Sequence, residues 1–457
     1  MKLKAILINV CRLVLAVTFV FSGYVKAIDP LGTQYKLHDY ADAAGLSALA
    51  PDWLTLTASV VLSATEFTLG ILLLFAVQRR LASRLTLALM VVMTAVTLWL
   101  AVANPISDCG CFGDALKLTN GQTLLKNLVL LVCALVVAWK PLKMVRFISE
   151  SNQWIAINYT VLFVLVTSFW SLYTLPPFDF RPYHIGANIR EGMEIPEDAP
   201  QPKFETTFLM EKDGQQQEFT LENYPDSTWS FVDSKTVQTE KGYEPPIHDF
   251  SIVLNSRAAS SESSEPSENS ESSESSESSD ITDLVLSDPG YTFLLISPHL
   301  DKADDTNFGD IDKLYEYADE NDYPFYCLTA STDEAVARWI ELTGAEYPFC
   351  TTDETTLKTI IRSNPGLVLL KDGVVIGKWS HNALPHIDAA LESQPLEQLP
   401  IGKLPVDSVP RKITSVLLWF VLPLMLLVLA DRAWAWTKWF RRKHRKNKEN
   451  LQKTDAQ

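Results

Sequence analysis

Residues 85–103 read LTLALMVVMTAVTLWLAVA, a stretch without a single charged residue. About 20 helical residues cross the hydrocarbon core of a bilayer, so this stretch is typical of a transmembrane helix. The first apolar stretch of the chain lacks a small-residue cleavage site and contains Arg12, which favours a retained span over a signal peptide. Six stretches of this kind predict six transmembrane helices, at residues 6–27, 54–77, 85–103, 124–139, 154–175 and 413–430.

The positions of Lys and Arg predict the orientation of these spans, because short loops rich in both residues stay in the cytoplasm. The N-terminus, the loop at 78–84 and the loop at 140–153 carry such clusters, whereas the two alternate loops hold only Lys36 and Lys117 in their middles. The basic residues at 441–446 are typical of an anchor after a last span. We therefore expect a multi-pass protein of the bacterial inner membrane, with both termini in the cytoplasm and residues 176–410 in the periplasm.

The charge balance excludes one class of function. Thirty-nine Lys and Arg against 55 Asp and Glu leave a net charge of −16, whereas nucleic-acid binding needs cationic surface. We expect the partners to be the lipid bilayer and an exported protein, and no nucleic acid.

Changes in composition along the sequence divide the chain into several predicted units. Residues 258–280 repeat Ser and Glu, with Glu at every third position from 262 to 277, which predicts a disordered acidic linker. Before it, apolar alternation at 204–210, 218–221 and 229–237, with a turn at Lys212-Asp213-Gly214, predicts a small β-rich module. The predicted units are a four-helix bundle at 1–145, a fifth span at 154–175, the module at 178–257, the linker at 258–280, a domain at 281–400, a sixth span at 413–430 and a basic tail at 431–457.

The domain at 281–400 alternates strands and helices, which indicates an α/β sheet with parallel strands. Strands are predicted at 291–297, 325–330, 347–350, 367–370 and 374–379, and helices at 308–321, 332–343, 355–361 and 384–393. This order, with Asn364-Pro365 before the last hairpin, resembles the thioredoxin-like fold. That resemblance implies a Cys-x-x-Cys after the first strand, but residues 298–304 read PHLDKAD. The domain is therefore expected to be redox-inert by itself.

Cys109 and Cys111 are the candidate reactive residues, since they lie one residue apart beside the outer end of the third span. Gly110 between them would permit a small, strained ring, and strained disulfides tend to be exchangeable. Lys117 and the start of the next helix would favour a thiolate, whereas Asp108 and Asp114 would oppose it. Three interpretations stay open: a redox-active dithiol, a static structural clip, and a metal site, although no further Cys or His is evident to complete a tetrahedral site.

Glu66 is the other candidate, because an ionisable residue inside a span is costly unless it has a function or a partner. It is either a proton acceptor or a paired glutamate that ties helices together; Lys26 and Asn127 are weaker candidates. Cys11 and Cys133 fall within spans and are expected to pack. Cys327 and Cys350 either form a disulfide or are buried thiols, and His381 and His386 are expected on the surface.

Three elements of the bundle resemble the DoxX/MauE family of small four-helix membrane proteins: FSGYVK at 21–26, Glu66 to Leu74 followed by Arg79-Arg80, and CGCFGD at 109–114 followed by Lys126-Asn127. The resemblance covers residues 1–145 and points to the MauE branch. It implies disulfide formation in methylamine dehydrogenase maturation beside a thioredoxin-like partner for MauE proteins, and a thiosulfate:quinone oxidoreductase subunit for a DoxX protein.

These observations together predict a multi-domain membrane protein, an α-helical bundle joined to an exported α/β domain and a β-rich module. Its expected function is thiol–disulfide exchange with an exported thiol-containing protein or thioredoxin-like partner through Cys109 and Cys111, with Glu66 managing a proton. No cofactor is certain, and a membrane quinone is a candidate electron acceptor. The alternative is a non-enzymatic membrane-anchored scaffold whose thioredoxin-like domain binds exported proteins or peptides.

Overall fold

The structure, a computed structural model, describes most of the chain: residues 2–106, 108–201, 203–212, 215–220, 223, 229–240, 242–254, 279–387, 394–405 and 408–454. The helices are α1 (Lys2–Ile28), α2 (Pro30–Ala43), α3 (Asp52–Phe75), α4 (Arg79–Ala103), α5 (Asn120–Trp139), α6 (Gln153–Tyr173), α7 (Ile189–Met193), α8 (Thr282–Leu286), α9 (Phe308–Glu320), α10 (Asp333–Thr343), α11 (Glu354–Ile360), α12 (Ser408–Val416) and α13 (Leu422–Thr454).

The strands form two sheets. They are β1 (Lys203–Lys212), β2 (Gln215–Thr220), β3 (Ser230–Glu240), β4 (Val253–Leu254), β5 (Ser279–Asp280), β6 (Tyr291–Ser297), β7 (Phe325–Thr329), β8 (Phe349–Thr351), β9 (Gly366–Lys371) and β10 (Val374–Ser380).

Six helices in the described chain are long and apolar enough to cross a membrane, which confirms the six predicted spans. One apolar core joins all six, and it includes Phe420 and Leu424 of the last span. The phenyl rings of Phe163 on α6 and Phe420 lie 4.2 Å apart and stack. The last span runs from α12 through one π-helical turn, Leu417–Val421, into α13. The two spans beyond the predicted four-helix bundle therefore pack on it.

Helices α1 and α3 approach each other closely because two glycines face the partner backbone. A Cβ on Gly23 would lie 2.3 Å from the backbone nitrogen of Phe67, and one on Gly70 would lie 2.7 Å from that of Val20. Small residues permit such close packing in membrane helices. The approach brings the polar side chains of α1 into contact with Glu66 of α3.

Helix α2 follows α1 directly, and the sequence analysis did not predict it. Asp29 caps its first turn by accepting a hydrogen bond from the amide of Gly32 at 2.9 Å, and Pro30 occupies the first helical position, which are both favoured in a helix start. The helix lies at the end of the bundle that carries Cys109, here called the cysteine end.

The larger sheet has the strand order β10-β9-β6-β7-β8-β4-β5, in which β6, β7 and β8 are parallel. Apolar cores cover both of its faces. We call residues 279–405, which supply most of it, the C-terminal domain. Its strands and helices lie within about two residues of the predicted positions from 291 to 380, and the peptide bond between Asn364 and Pro365 is cis.

Two predictions in this region need correction. The helix expected at 384–393 is absent over 384–387, where the chain is irregular, and residues 388–393 lie outside the described residues. The segments flanking the small sheet also differ from the prediction. Tyr183, Ile189, Ile247, Phe250 and Ile252 pack into the core on one face of the larger sheet instead of joining the β-rich module. Their apolar residues are separated by prolines and charges, so no periodic pattern revealed their partner.

The small sheet is antiparallel, with the order β2-β1-β3, and agrees with the predicted β-rich module. The predicted turn at 213–214 and the acidic linker up to residue 278 lie outside the described residues. Because β4 and β5 pair antiparallel, the two ends of the segment 255–278 lie side by side in the larger sheet.

Candidate functional site

Cys109 and Cys111 lie in the loop between α4 and α5, at the cysteine end. Their sulfur atoms are 2.9 Å apart with no bond between them, and each residue is 7% exposed. Gly110 has a φ of +60°, a backbone conformation that favours glycine. Asp108 fixes this turn by accepting a hydrogen bond from the amide of Gly110 at 2.9 Å. The turn directs both thiols to the same place.

The loop is anchored on both sides. The side-chain amide of Asn120, at the start of α5, donates to the carbonyl of Ile106 at 2.7 Å and to Asn104 Oδ1 at 2.9 Å. The hydroxyl of Tyr40 on α2 donates to the carbonyl of Cys109. The cysteine loop, which we define as residues 108–114, is therefore held by both α5 and α2.

The two thiols differ in their pKa values. The hydrogen bond from Cys111 lowers the pKa of Cys109 to about 6, with further lowering by Tyr40, Lys126 and Lys26 against the effect of burial. The same hydrogen bond and burial raise the pKa of Cys111 well above its ordinary value. A shared negative charge therefore resides on Cys109, as a nucleophilic thiol requires. Lys117, the cation expected to favour a thiolate, is exposed in this structure.

Glu66 is paired with a lysine inside the bundle. Lys26 Nζ lies 2.7 Å from Oε1 and 2.9 Å from Oε2 of Glu66, and both residues are buried. The oxygen of Ser22 lies 2.7 Å from Glu66 Oε2 and 2.8 Å from the carbonyl oxygen of Cys111. A single serine thus links the Lys26–Glu66 ion pair to the cysteine loop. Glu66 is therefore a paired glutamate in this structure, and its pair with Lys26 lies beside the cysteine loop.

The other cation near the thiols, Lys126, lies on α5 with its Nζ 4.1 Å from the ring centre of Phe112. The next residue, Asn127, donates to Thr97 Oγ1 of α4 at 3.2 Å. Lys126 and Asn127 line a cavity of about 30 Å³ beside Cys111 and Glu66. It has room for water molecules only.

The C-terminal domain lies over the cysteine loop. Arg362, only 7% exposed, donates to Asp29 at 3.0 and 3.1 Å and to Asp114 Oδ2 at 3.4 Å. Lys302 adds an exposed ion pair with Asp52 of α3 at 3.2 Å. Between the two halves of the molecule lies a cavity of about 920 Å³, whose lining includes Gly110.

The remaining candidates lie apart from this site. Cys327 and Cys350 are free thiols on neighbouring strands that belong to the cores on opposite faces of the sheet, so they do not form a disulfide. Burial raises the pKa of both, that of Cys350 to about 12. Cys11 lies in the bundle core and Cys133 packs against that core, as expected.

The two histidines differ from each other. His386 is exposed as expected. His381 is not an ordinary surface residue, because it is partly buried, 3.0 Å from Ser363 Oγ and 3.5 Å from Asp304. Among the residues that the structure describes, no group of three or more His, Cys, Asp or Glu side chains is placed to hold a metal ion.

A comparison with known protein families finds a match over the first four spans. Residues 4–140 match the family model of the methylamine utilisation protein MauE. This match confirms the MauE part of the resemblance, and it covers α1 to α5. Residues 204–241, the small sheet, match a domain of unknown function. No curated protein and no solved structure matches the chain.

Sequence reasoning missed three residues of the site. Tyr40 was missed because α2 was not predicted, although Asp29 followed by Pro30 is a helix-start signal. Lys126 stood in the motif but had no assigned role. Arg362 carries no local signal, since its partners lie more than 240 positions away in the sequence.

Proposed function

We propose that this chain is a membrane-embedded thiol–disulfide redox protein of the MauE type that exchanges disulfides with exported proteins through Cys109 and Cys111. The observation that carries the proposal is the close approach of two unbonded sulfurs, at 2.9 Å, below a large cavity. The lowered pKa of Cys109 supports a role as the attacking thiolate. The family's printed description names methylamine utilisation, and we extend that context to this chain only as part of the proposal.

The orientation belongs to the same proposal. Lys and Arg cluster at the end of the bundle opposite the cysteine end, where Arg79 donates to the carbonyl of Leu142 at 2.8 Å and Arg12 to that of Val145 at 2.7 Å. The positive-inside tendency assigns that end to the cytoplasm. The cysteine loop and the C-terminal domain then face the periplasm of a bacterial inner membrane.

The exchange balances without any further reactant. The thiolate of Cys109 attacks one sulfur of a partner's disulfide, and the partner's second sulfur leaves as a thiolate. Cys111 then attacks the sulfur of Cys109, which releases the partner as a dithiol and leaves a Cys109–Cys111 disulfide. Two electrons pass to the partner, and the reverse sequence oxidises a partner dithiol. Glu66, which Ser22 joins to the loop, is the proposed proton acceptor.

A membrane quinone as the electron acceptor is not supported by the space beside the thiols. The cavity next to Cys111 holds about 30 Å³, too little for a quinone ring. We therefore assign no step to a quinone and propose only the exchange between thiols.

The C-terminal domain is proposed to be thioredoxin-like. Its parallel β6, β7 and β8, its antiparallel β9 and β10, and its cis Asn364–Pro365 bond support this assignment. The domain has no cysteine pair after β6, where Pro298 and His299 lie. Its position over the cysteine loop favours a role in holding a partner.

Thiol trapping in intact cells tests the exchange. A membrane-impermeant alkylating reagent should find the pair in a mixed redox state. Replacing Cys111 with Ser should accumulate a mixed disulfide between Cys109 and an exported protein. A pair that stays oxidised under every condition, with both Cys→Ser variants fully functional, would support the alternative of a non-enzymatic scaffold.

A further inference from the structure

Arg362 contacts the bundle at two points, the start of α2 and the end of the cysteine loop. Its guanidinium donates to both carboxylate oxygens of Asp29, at 3.0 and 3.1 Å, and to Asp114, at 3.4 Å. Asp29 begins α2, and Asp114 ends the cysteine loop. The same guanidinium lies 5.2 Å from the ring centre of Tyr35 on α2.

Helix α2 carries this contact to Cys109. Asp29 lies at its first turn and Tyr40 near its last, about 16 Å apart along the axis. Tyr40 donates to the carbonyl of Cys109, and Lys36 lies 3.5 Å from the carboxylate of Asp108. Arg362 therefore touches the loop directly through Asp114 and indirectly through α2.

Arg362 is built into this position. It is almost fully buried, and its three guanidinium nitrogens have separate partners: Nε is shared between the two oxygens of Asp29, one Nη donates to Asp114 and the other to the carbonyl of Lys358. The proposed exchange chemistry does not itself use Arg362, because the residue does not touch either thiol. Tethering alone does not require these contacts, because the chain already joins the domain to the bundle through α6 and α12.

We propose that Arg362 is a positioning residue, which couples the C-terminal domain to the cysteine pair by holding α2 and the cysteine loop in place. The inference rests on the proposed exchange function for its meaning, although the contact itself is independent of any partner. With the domain in place, Tyr40 stays against Cys109, and the pair faces the 920 Å³ cavity from which a partner would approach. With the domain displaced, α2 keeps its hydrogen bonds to α3 but loses the guanidinium that joins its start to the cysteine loop.

The coupling can be read at Cys109 itself. The charged and titratable groups that face Cys109 are Cys111, Tyr40, Lys126 and Lys26, and Asp108 of its own loop acts on Tyr40. Only Tyr40 and the loop depend on Arg362, because Lys26 and Lys126 lie on spans. Loss of Arg362 should therefore remove part of the stabilisation of the Cys109 thiolate without removing the cations.

The experiment measures the rate of alkylation of Cys109 against pH in the full-length protein in detergent, resolved by peptide mass spectrometry. In Arg362→Ala we expect the midpoint to move by about one pH unit toward the ordinary cysteine value of about 8.5. Tyr40→Phe should move it in the same direction. Arg362→Lys, which keeps a cation beside Asp29 and Asp114, should restore part of the shift. Arg338→Ala, which removes an exposed cation from α10 of the same domain, is the matched control and should change nothing.

Two features keep the test decisive. Cys327 and Cys350 are fully buried, so their alkylation reports an unfolded domain within the same sample. If Arg362→Ala exposes them, Asp29→Asn, which leaves the domain's own sequence intact, takes its place. A midpoint that stays unchanged in the folded Arg362 or Asp29 variant while Tyr40→Phe moves it overturns the proposal. Alkylation needs no partner, so loss of disulfide exchange with an intact Arg362 effect would count against the proposed function alone.

Discussion

Cys109 and Cys111 have the same chemistry and share most of their surroundings, and the hydrogen bond between them defines their order of reaction. Both face Lys126 and Lys26 and both are buried, but that hydrogen bond lowers the pKa of Cys109 and raises the pKa of Cys111. Cys109 is thus the better nucleophile and the better leaving group. In the proposed exchange it attacks first and carries the mixed disulfide, which Cys111 then resolves by releasing the partner's sulfur.

The first prediction concerns the pH dependence of alkylation at this pair. The thiolate reacts, and the pKa of Cys109 is lowered to about 6, so the rate should rise with pH through about 6 and be near its maximum at pH 7. Cys111→Ala removes the largest stabilising contact and should move the midpoint upward. Peptide mass spectrometry of timed alkylation measures both proteins. A midpoint near 8.5 in the unmodified protein would show an ordinary thiol.

The second prediction concerns the buried pair of Lys26 and Glu66. Removing one partner leaves an uncompensated charge in an apolar bundle, which typically costs about 3–5 kcal/mol. Glu66→Gln and Lys26→Met should each lower the free energy of unfolding in detergent by an amount of that order. The double variant should lose less than the sum of the two, because neither charge is then left unpaired. Additive losses would mean that the 2.7 Å contact contributes no coupling.

At the scale of elements, the close crossing of α1 and α3 is what brings Ser22, Lys26 and Glu66 together. The third prediction is that Gly23→Ala destabilises the bundle by about 1–3 kcal/mol, the range for overpacking, because the new Cβ would meet the backbone of Phe67 at 2.3 Å. Gly121→Ala is the matched control, since a Cβ there meets nothing within 4 Å. Thermal unfolding in detergent compares the two. Equal stability of both variants would place the helices farther apart than described.

The elements also show what a sequence can and cannot predict. The spans and the strands of the larger sheet have strong local signals, since uncharged runs and short apolar segments between turn residues do not depend on distant partners. Helix α2 lacks an apolar stripe and was missed. The flanks around Ile189 and Phe250 were assigned to the wrong sheet, because their partners are chosen by tertiary packing.

The candidate site divides in the same way. The cysteine pair and Glu66 could be predicted because each is unusual for its position, in an outer loop and inside a span. The pairing of Glu66 with Lys26, the contact of Tyr40 and the docking of Arg362 depend on which helices and domains meet. The spacing of residues in the sequence does not predict these contacts between distant helices and domains.

At the scale of the whole molecule, the pairing of β4 with β5 in the larger sheet brings together the two ends of the segment 255–278. The fourth prediction is that replacing residues 258–278 by about a quarter of their length in Gly and Ser leaves the fold intact. Loop-closure entropy changes by only about 0.6 kcal/mol for each halving, so the domain should gain about 1 kcal/mol. Denaturant unfolding of the full chain measures the gain. A large loss of stability would show that the acidic segment contributes contacts of its own.

The C-terminal domain is attached to the membrane bundle at both of its ends, by α6 before it and α12 after it. Its docking through Arg362 is therefore an intramolecular equilibrium, governed by an effective concentration in the millimolar range. At about 1 mM, a contact whose own dissociation constant is about 10 µM would be closed about 99% of the time. A few polar contacts are then enough to keep the C-terminal domain over the thiols. A partner of modest affinity could still displace the domain.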